Sequence, residues 1–206
     1  MLAPQWFLDF VSGPWALNCA GMEATDEQLM LAYAAGDTAA FEKLYARHRG
    51  GLYRFVLRGI KERGIADELF QEVWIRVIEA RMRYAPQARF STWLYTIAHN
   101  RMVDHWRRRG LNVVPLERGD PDDPAPPEPA AEAAREPQCQ AEINQQLERL
   151  ARALEALPPT QREVFLMREE SGLSLAEIAA ATGSNEEAVK SRLRYAVAKL
   201  REALDG

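Results

Sequence analysis

Apolar residues recur at intervals of three and four over most of the chain, which is the spacing of one face of an α-helix. In the first half this recurring set is Phe41, Leu44, Tyr45, Leu52, Val56, Ile60, Leu69, Phe70, Val73, Val77 and Ile78. No stretch there alternates apolar and polar residues as a half-buried strand would. The pattern predicts an all-α fold, with breaks at Gly36 and Asp37, around Gly64, and from Tyr84 to Arg89.

The next predicted helix starts with Ser91 as its N-cap and runs to about Arg109. Its apolar face comprises Leu94, Ile97, Ala98 and Met102. A second face, also at spacings of three and four, comprises Trp93, Thr96, Asn100, Asp104 and Arg107. This arrangement indicates an exposed polar stripe with an aromatic residue, Trp93, at its N-terminal end.

The end of the chain has the pattern of a helix-turn-helix. Ser174 with Glu177, and Ser184 with Glu187, each have the spacing of a capping box, and Gly183 marks the turn between them. In the second helix the apolar positions are Val189, Leu193, Val197, Leu200 and Leu204, and the outward positions are Glu187, Lys190, Ser191, Arg194, Tyr195 and Arg201. That outward face suits a DNA major groove. The alternative is an ordinary helical hairpin with a solvated charged face.

A proline-rich, acidic stretch divides the chain. Residues 110–140 hold seven of the 12 prolines and almost no large apolar residue, so we expect a flexible linker. The linker separates a helical domain at 25–109 from a second of about four helices at 141–206, with a further capping box predicted at Thr160 and Glu163. Met22 directly precedes the first capping-box sequence, Thr25 to Gln28, so residues 1–24 are expected to be a disordered extension or to result from a start codon assigned too early.

Charge is unevenly distributed between these segments. The whole chain has a formal net charge of -4, which alone argues against a nucleic-acid partner. Residues 25–109 nevertheless carry 15 Lys+Arg against 10 Asp+Glu, a net +5, and residues 110–140 carry 2 against 7, a net -5. Residues 141–206 carry 9 against 11. The first domain is therefore the basic one.

Several other classes of protein lack support in the sequence. Cys19 and Cys139 are far apart and form no metal-ligand pattern with the three histidines, so neither a metal site nor a disulfide is expected. There is no nucleophile elbow, phosphate-binding glycine loop or convincing acid-base pair, so we predict no enzyme activity and no cofactor. The apolar start, 1–21, has no basic flank and contains Pro14, so it fits neither a signal peptide nor a membrane span. The expected compartment is the cytoplasm.

Three sequence motifs in order carry a family resemblance. They are Asp67-Glu-Leu-Phe-Gln-Glu-Val-Trp74, Phe90-Ser-Thr-Trp-Leu-Tyr-Thr-Ile-Ala-His-Asn100 with Asp104, and Leu157-Pro-Pro-Thr-Gln-Arg-Glu-Val-Phe165 before Leu175-Ala-Glu-Ile-Ala179. Together they closely resemble the extracytoplasmic-function (ECF) sigma factors of bacterial RNA polymerase. The resemblance implies that the helix with Asp67, Gln71 and Glu72 docks on the largest subunit of core polymerase, which supplies the catalysis.

The resemblance also implies how promoter DNA is read. The loop from Tyr84 to Phe90 would take up a base flipped from the non-template strand near the minus-ten element. The implied minus-ten residues are Arg89, Phe90, Trp93, Asn100, Arg101, Asp104, Arg107 and Arg108, of which the arginines suit phosphates. The implied minus-thirty-five residues are Glu187, Lys190, Ser191, Arg194 and Tyr195. Lys190 or Arg194 paired with guanine is the expected discriminating contact.

Two further expectations follow from the family. Primary sigma factors have two adjacent tryptophans where this chain has Thr96 and Ile97, so we expect weaker duplex opening and a narrow choice of promoters. Such factors are usually held inactive by an anti-sigma partner, and no direct membrane insertion is expected. The main alternative is a free-standing helix-turn-helix regulator, which would need a ligand pocket or dimer interface in the first domain.

Overall fold

The computed structural model describes residues 24–110 and 137–205, with side chains given for 24–110, 146 and 148–204. The expected N-terminal extension and most of the expected linker therefore lie outside the described residues. Every regular element in the described part is helical, which confirms the all-α prediction.

Within the described residues, eight α-helices form two groups, at 24–110 and at 137–205. The first group is α1 (Asp26–Ala34), α2 (Thr38–Ile60), α3 (Arg63–Ala80), a 3-10 turn (Arg81–Arg83) and α4 (Phe90–Arg108). The second group is α5 (Pro137–Ala156), α6 (Pro159–Ser171), α7 (Leu175–Thr182) and α8 (Glu186–Asp205). We call these groups the first and second units. The second unit has the four helices that the sequence predicts.

Helices α1 and α2 each have a short polar residue as N-cap. Thr25 and Gln28 form the expected capping box on α1. Asp37 caps α2, because its Oδ1 accepts the N–H groups of Ala39 at 2.9 Å and Ala40 at 3.3 Å. The break predicted around Gly64 lies slightly earlier, since α2 ends at Ile60 and its C-cap, Lys61, adopts a left-handed conformation with φ of 70°.

Helix α4 begins differently from the prediction. Ser91 was expected as the N-cap, but the N-cap is Arg89, which makes no side-chain capping bond. Ser91 is buried in the first turn, and its Oγ has no hydrogen-bond partner. The carboxylate of Glu27, from α1, accepts the N–H of Phe90 at 2.7 Å instead. A distant acid thus replaces the local cap that the sequence suggested.

The core of the first unit is apolar and rich in aromatic rings. Its fully buried side chains include Met30, Leu44, Leu52, Phe55, Val56, Phe90, Leu94 and Met102. Phe41, Tyr45, Phe70 and Trp74 pack against one another beside this core, with Trp74 and Tyr45 ring centroids 4.9 Å apart. Aromatic pairs at such distances and tilts are favourable beyond their buried area, so they fix α2 against α3.

Three helices of the second unit begin at other residues than the sequence predicted. Helix α5 begins at Pro137, four residues inside the expected linker boundary at 140, and proline is well tolerated in a first turn. Pro158, not Thr160, is the N-cap of α6. Helix α8 is capped by Asn185, whose Oδ1 accepts the N–H of Ala188 at 2.7 Å, and not by Ser184.

The predicted start and end of α7 are confirmed. Ser174 and Glu177 form the capping box, and Gly183 ends the helix with φ of 62°. The apolar faces of α6, α7 and α8 meet below this turn, and their buried residues include Val164, Leu166, Met167, Leu173, Ile178, Val189, Ala196 and Leu200.

The two units pack directly against each other. Helix α2 lies against α6, and α4 lies against α7. The sequence predicted two bodies on a flexible linker and did not predict this contact.

Candidate nucleic-acid interface

The helix-turn-helix presents the outward face that the sequence predicted. Glu187, Lys190 and Tyr195 are exposed on α8, whereas Ser191 and Arg194 are partly covered. The Arg194 guanidinium lies 5.3 Å from the Tyr195 ring centroid. Lys190 Nζ and Glu187 Oε1 are 3.9 Å apart and both exposed, so their mutual attraction is weak and leaves the lysine available to DNA.

Arg192 is a residue of this motif that the sequence reasoning missed. Its Nη1 donates to Ser184 Oγ at 2.9 Å, which joins the turn to the second turn of α8. Ser184 therefore fixes the geometry of the turn through a side-chain bond instead of capping the helix. An arginine two positions from Lys190 gives no sequence signal that separates this role from a solvated one.

Helix α4 carries the second candidate face. Asn100, Arg107 and Arg108 are exposed, and Trp93 is partly exposed near the start of the helix. Arg101 Nη2 and Asp104 Oδ2 form an ion pair at 2.6 Å. These two candidate residues are therefore engaged with each other in the free chain, and binding a phosphate through Arg101 requires that this pair rearrange.

The loop before α4 rests on a cluster of aromatic rings. Tyr84 lies 5.0 Å from Trp93 and 6.3 Å from Phe90, measured between ring centroids. Phe90, which the resemblance implies as a minus-ten residue, is fully buried and forms the floor of the loop. Burial, with the charges of Glu27 and Asp26 nearby, raises the pKa of the Tyr84 hydroxyl, which stays protonated at neutral pH.

Helix α1 supports this loop in a way that the sequence reasoning did not detect. Besides the bond from Glu27 to Phe90, Asp26 accepts a hydrogen bond from Arg47 Nη1 at 2.8 Å. Asp26 also lies 2.7 Å from His48 Nε2, and the His48 ring packs on Phe90. The first helix thus joins α2 to the start of α4.

The expected docking residues lie on the outer side of α3. Gln71 and Glu72 are exposed, and Asp67 is partly covered. The Tyr53 hydroxyl donates to Asp67 Oδ1 at 2.8 Å, and this hydrogen bond raises the pKa of Tyr53. Ile75 follows on the same side and is 52% exposed. The surface therefore combines acidic and amide groups with one exposed apolar side chain.

The described part of the chain contains neither a candidate metal site nor a helix suited to span a membrane. Among those residues no cluster of three His, Cys, Asp or Glu side chains has the geometry to hold a metal ion. None of the helices described there is long and apolar enough to cross a bilayer.

Comparison with known proteins assigns each of the two units to a known protein domain. Residues 44–111 match the model of Sigma-70 region 2, and residues 147–200 match the model of Sigma-70 region 4. The RNA polymerase sigma factor CarQ of Myxococcus xanthus is 33% identical over 169 residues, which span 82% of this chain and 91% of CarQ. The ECF RNA polymerase sigma factor SigK of Mycobacterium tuberculosis is 28% identical over 185 residues, covering 88% of this chain and 95% of SigK.

Solved structures show the same architecture. CnrH in complex with the cytosolic domain of CnrY has a TM-score of 0.61 and 27% sequence identity, covering 87% of this chain and 97% of CnrH. The sigma factor RpoE in complex with the anti-sigma factor NepR, from Bartonella quintana, has a TM-score of 0.58 at 23% identity, covering 80% and 96% of the two chains. At 23% identity, the RpoE structure supports only the assignment of the fold.

Region 2 followed by region 4, each folded as a helical unit, defines a sigma factor of RNA polymerase. Within that class, the chain belongs to the extracytoplasmic-function (ECF) family, as the sequence motifs indicated.

Proposed function

We propose that this sigma factor docks on core RNA polymerase through α3 and reads a promoter at two places, with α4 and its preceding loop at the minus-ten element and with α8 at the minus-thirty-five element. The observation that carries this proposal is that each unit exposes its own polar face in the matched region. Asn100, Arg107 and Arg108 are exposed on the first unit, and Glu187, Lys190 and Tyr195 on the second. Sigma factors are non-catalytic initiation factors, so bond formation belongs to the polymerase.

The proposed polymerase contact consists of Asp67, Gln71 and Glu72 on α3. The Tyr53 hydroxyl holds the Asp67 carboxylate in place, so this acid meets its partner with little further loss of side-chain freedom. The exposed amide and carboxylate of Gln71 and Glu72 suit a polar or basic surface, and Ile75 adds apolar area. A rigid helix with a few ordered polar groups is well suited to specific docking.

The proposed minus-ten contacts begin at Arg89 and continue down α4. Trp93 offers a partly exposed ring on which a flipped base can stack, supported from below by Tyr84 and Phe90. Asn100 has the amide needed for a bidentate contact to adenine. Arg101, Asp104, Arg107 and Arg108 follow, with the arginines placed for phosphates once the Arg101 to Asp104 pair opens.

The proposed minus-thirty-five contacts lie on α8. Lys190 and Arg194 suit guanine edges, Glu187 suits cytosine, and Ser191 accepts or donates to either base. Tyr195, which is 45% exposed, presents its ring at the edge of this face. The short turn through Gly183 lets α7 brace the recognition helix.

We also propose an anti-sigma partner and action in the cytoplasm, in response to a stress or envelope signal. The CnrH and RpoE structures are complexes, with the cytosolic domain of CnrY and with the anti-sigma factor NepR. A similar partner for this chain is consistent with its likeness to CnrH over both units. The cytoplasm is the compartment in which core polymerase meets chromosomal DNA.

Run-off transcription on a pool of genomic promoters tests this function. Core polymerase with the full chain should produce discrete transcripts that core alone does not, and their start sites should share two upstream elements. The double variant Asp67→Ala, Gln71→Ala should lose association with core, whereas Glu42→Gln, an exposed acid on α2, should not. Operator binding with no effect of core polymerase would instead support a free-standing regulator.

A further inference from the structure

We propose that His48, on α2, is a positioning residue for promoter opening: it acts through Phe90 on Trp93, the ring on which the flipped base stacks. The inference rests on the proposed function, because Trp93 receives a base only if the chain opens a promoter. His48 itself has no DNA contact in that proposal, and its ring lies behind the surface that does.

Three aromatic rings form a platform beneath the loop before α4. The ring centroids of Tyr84 and Trp93 are 5.0 Å apart, those of Phe90 and Trp93 are 5.8 Å apart, and those of Tyr84 and Phe90 are 6.3 Å apart. The planes meet at 52° to 66°, which are the tilted and edge-to-face arrangements that aromatic pairs favour. Tyr84 and Phe90 are buried and Trp93 is partly exposed, so the orientation of the Trp93 ring depends on the two buried rings behind it.

The imidazole of His48 packs on one of these buried rings. Its centroid lies 5.2 Å from that of Phe90, with the two planes tilted by 56°. The His48 side chain is only 16% exposed, and Phe90 has no exposed surface. Because a close-packed interior transmits a change of volume to its neighbours, removing the imidazole should shift Phe90 and, with it, Trp93.

The position of His48 is fixed in turn by Asp26, on α1. Asp26 Oδ2 lies 2.7 Å from His48 Nε2, and Asp26 Oδ1 accepts a hydrogen bond from Arg47 Nη1 at 2.8 Å. Asp26 is in the first turn of α1, where the positive end of the helix dipole favours a negative charge. This carboxylate is therefore held in place, and it sets the direction of the imidazole.

Two neighbouring carboxylates on α1 thus hold Phe90 in different ways. Glu27 accepts the main-chain N–H of Phe90 at 2.7 Å, whereas Asp26 supports its ring through His48. The main-chain bond fixes where α4 begins, and the ring contact fixes how Phe90 meets Trp93. A change at His48 can therefore alter the platform while the start of the helix keeps its acceptor.

Positioning of Trp93 matters because the next positions on α4 offer no aromatic surface. Thr96 Oγ1 donates to the main-chain oxygen of Thr92 at 2.8 Å, and Ile97 packs against the core. Extruding a base is unfavourable, and stacking offsets that cost best when the ring is already in place. The proposed base capture therefore depends on Trp93 and on the residues that orient it.

Coupling between His48 and Trp93 is the direct test. Holoenzyme formed from core polymerase and the full chain is compared on a cognate promoter for the parent, His48→Ala, Trp93→Ala and the double variant, by permanganate reactivity of the melted strand. His48→Ala should lower the equilibrium constant for opening by about fivefold, the lower end of the range for loss of one base stack. The double variant should match Trp93→Ala alone. Two effects that simply multiply would overturn the inference.

Abasic promoters give a readout that a purely structural role of His48 would not change. One base of the non-template minus-ten strand is removed at a time. At the flipped position no base remains to stack, so the parent and His48→Ala should open that promoter equally well. At the other positions the difference between them should remain. A difference that persists at every abasic position would contradict a route through Trp93.

Two conservative variants separate the ring of His48 from its bond to Asp26. His48→Phe keeps an aromatic ring against Phe90 and should open the promoter nearly as well as the parent. His48→Gln keeps a polar group without a ring, so it should be as defective as His48→Ala. The reverse order would show that the ring contact is not the means of action. His105→Ala makes the same change at a half-buried histidine on α4 and should leave opening unchanged.

The fold and the docking surface are checked in the same set of variants. Urea unfolding shows whether each variant is folded, and binding to core polymerase should be the same for all. If His48→Ala does not fold, the comparison of His48→Phe with His48→Gln decides. If the parent opens promoters and all three substitutions at His48 open them equally well, the inference alone fails. A parent that opens no promoter overturns the proposed function and the inference with it.

Discussion

The carboxylate of Glu27 accepts the main-chain N–H of Phe90 at 2.7 Å, across 63 residues of sequence. This bond caps α4 from outside its own segment and fixes the loop that we assign to the minus-ten element. Helix α1 therefore supports a surface to which we assign it no DNA contact of its own.

Removing this acceptor should weaken both the fold and promoter opening. Glu27→Ala leaves a partly buried N–H group without a partner, so the free energy of unfolding should fall by roughly 1–2 kcal/mol. Urea unfolding of the full chain measures this loss. Promoter opening, followed by permanganate reactivity of the melted strand, should fall more than binding to core polymerase. Glu68→Ala, at an exposed position on α3, should change neither property.

Acidification should destabilise the first unit through Asp26. Burial alone would raise the pKa of this carboxyl, but Arg47 and His48 hold it below its usual value. A carboxyl with a depressed pKa in the folded state stabilises the fold above its unfolded pKa, and that contribution is lost as the pH falls through the folded pKa. The loss should therefore occur below about pH 4. Thermal unfolding across this range should show a shallower decline for Asp26→Asn than for the parent.

Any side chain at Gly183 should strain the turn of the helix-turn-helix. Its φ of 62° is left-handed, and an L-residue there costs roughly 1–2 kcal/mol. Gly183→Ala should lower stability by about this amount and weaken binding at the minus-thirty-five element. Gly50→Ala lies within a regular helix and should have the opposite sign, a gain of up to about 1 kcal/mol. Chemical denaturation of both variants would reveal the contrast, and equal effects would argue against a left-handed turn.

Lys190 should discriminate between promoters. If it contacts a guanine of the minus-thirty-five element, Lys190→Ala should cost about 1–3 kcal/mol on the cognate promoter and little on one mutated at that base pair. Competition binding by holoenzyme on the two promoters measures this difference. Lys199→Ala removes an exposed charge further along α8 and should weaken both promoters equally or not at all.

Local signals explain where the sequence prediction succeeded. Thr25 with Gln28 and Ser174 with Glu177 form capping boxes as expected, and Gly183 ends α7, because each of these features depends on residues at most four positions apart. The same spacing rule was wrong for Ser184, since Asn185 is as good a cap and lies one residue later. The N-cap predicted at Ser91 was wrong because α4 already begins at Phe90, whose N–H is accepted by Glu27 from another helix.

The packing of the two units could not be predicted from the pattern of residues along the sequence. In sequence, Glu163 and Glu177 have the spacing of capping-box acids and Glu170 looks like an ordinary solvated acid, and none of the three signals a partner in the first unit. Their partners, His99, Arg54, Arg58 and Arg89, are between 64 and 116 residues away. No helical period relates such positions, so only the tertiary structure brings them together.

Glu177 also caps α7 through Ser174, at 2.8 Å from its N–H, while it neutralises Arg89. The bonds to Ser174 lie within one turn of the second unit, so the start of α7 is held by its own residues and does not depend on the contact with Arg89. The recognition motif can therefore keep the same shape at a promoter, wherever the first unit lies.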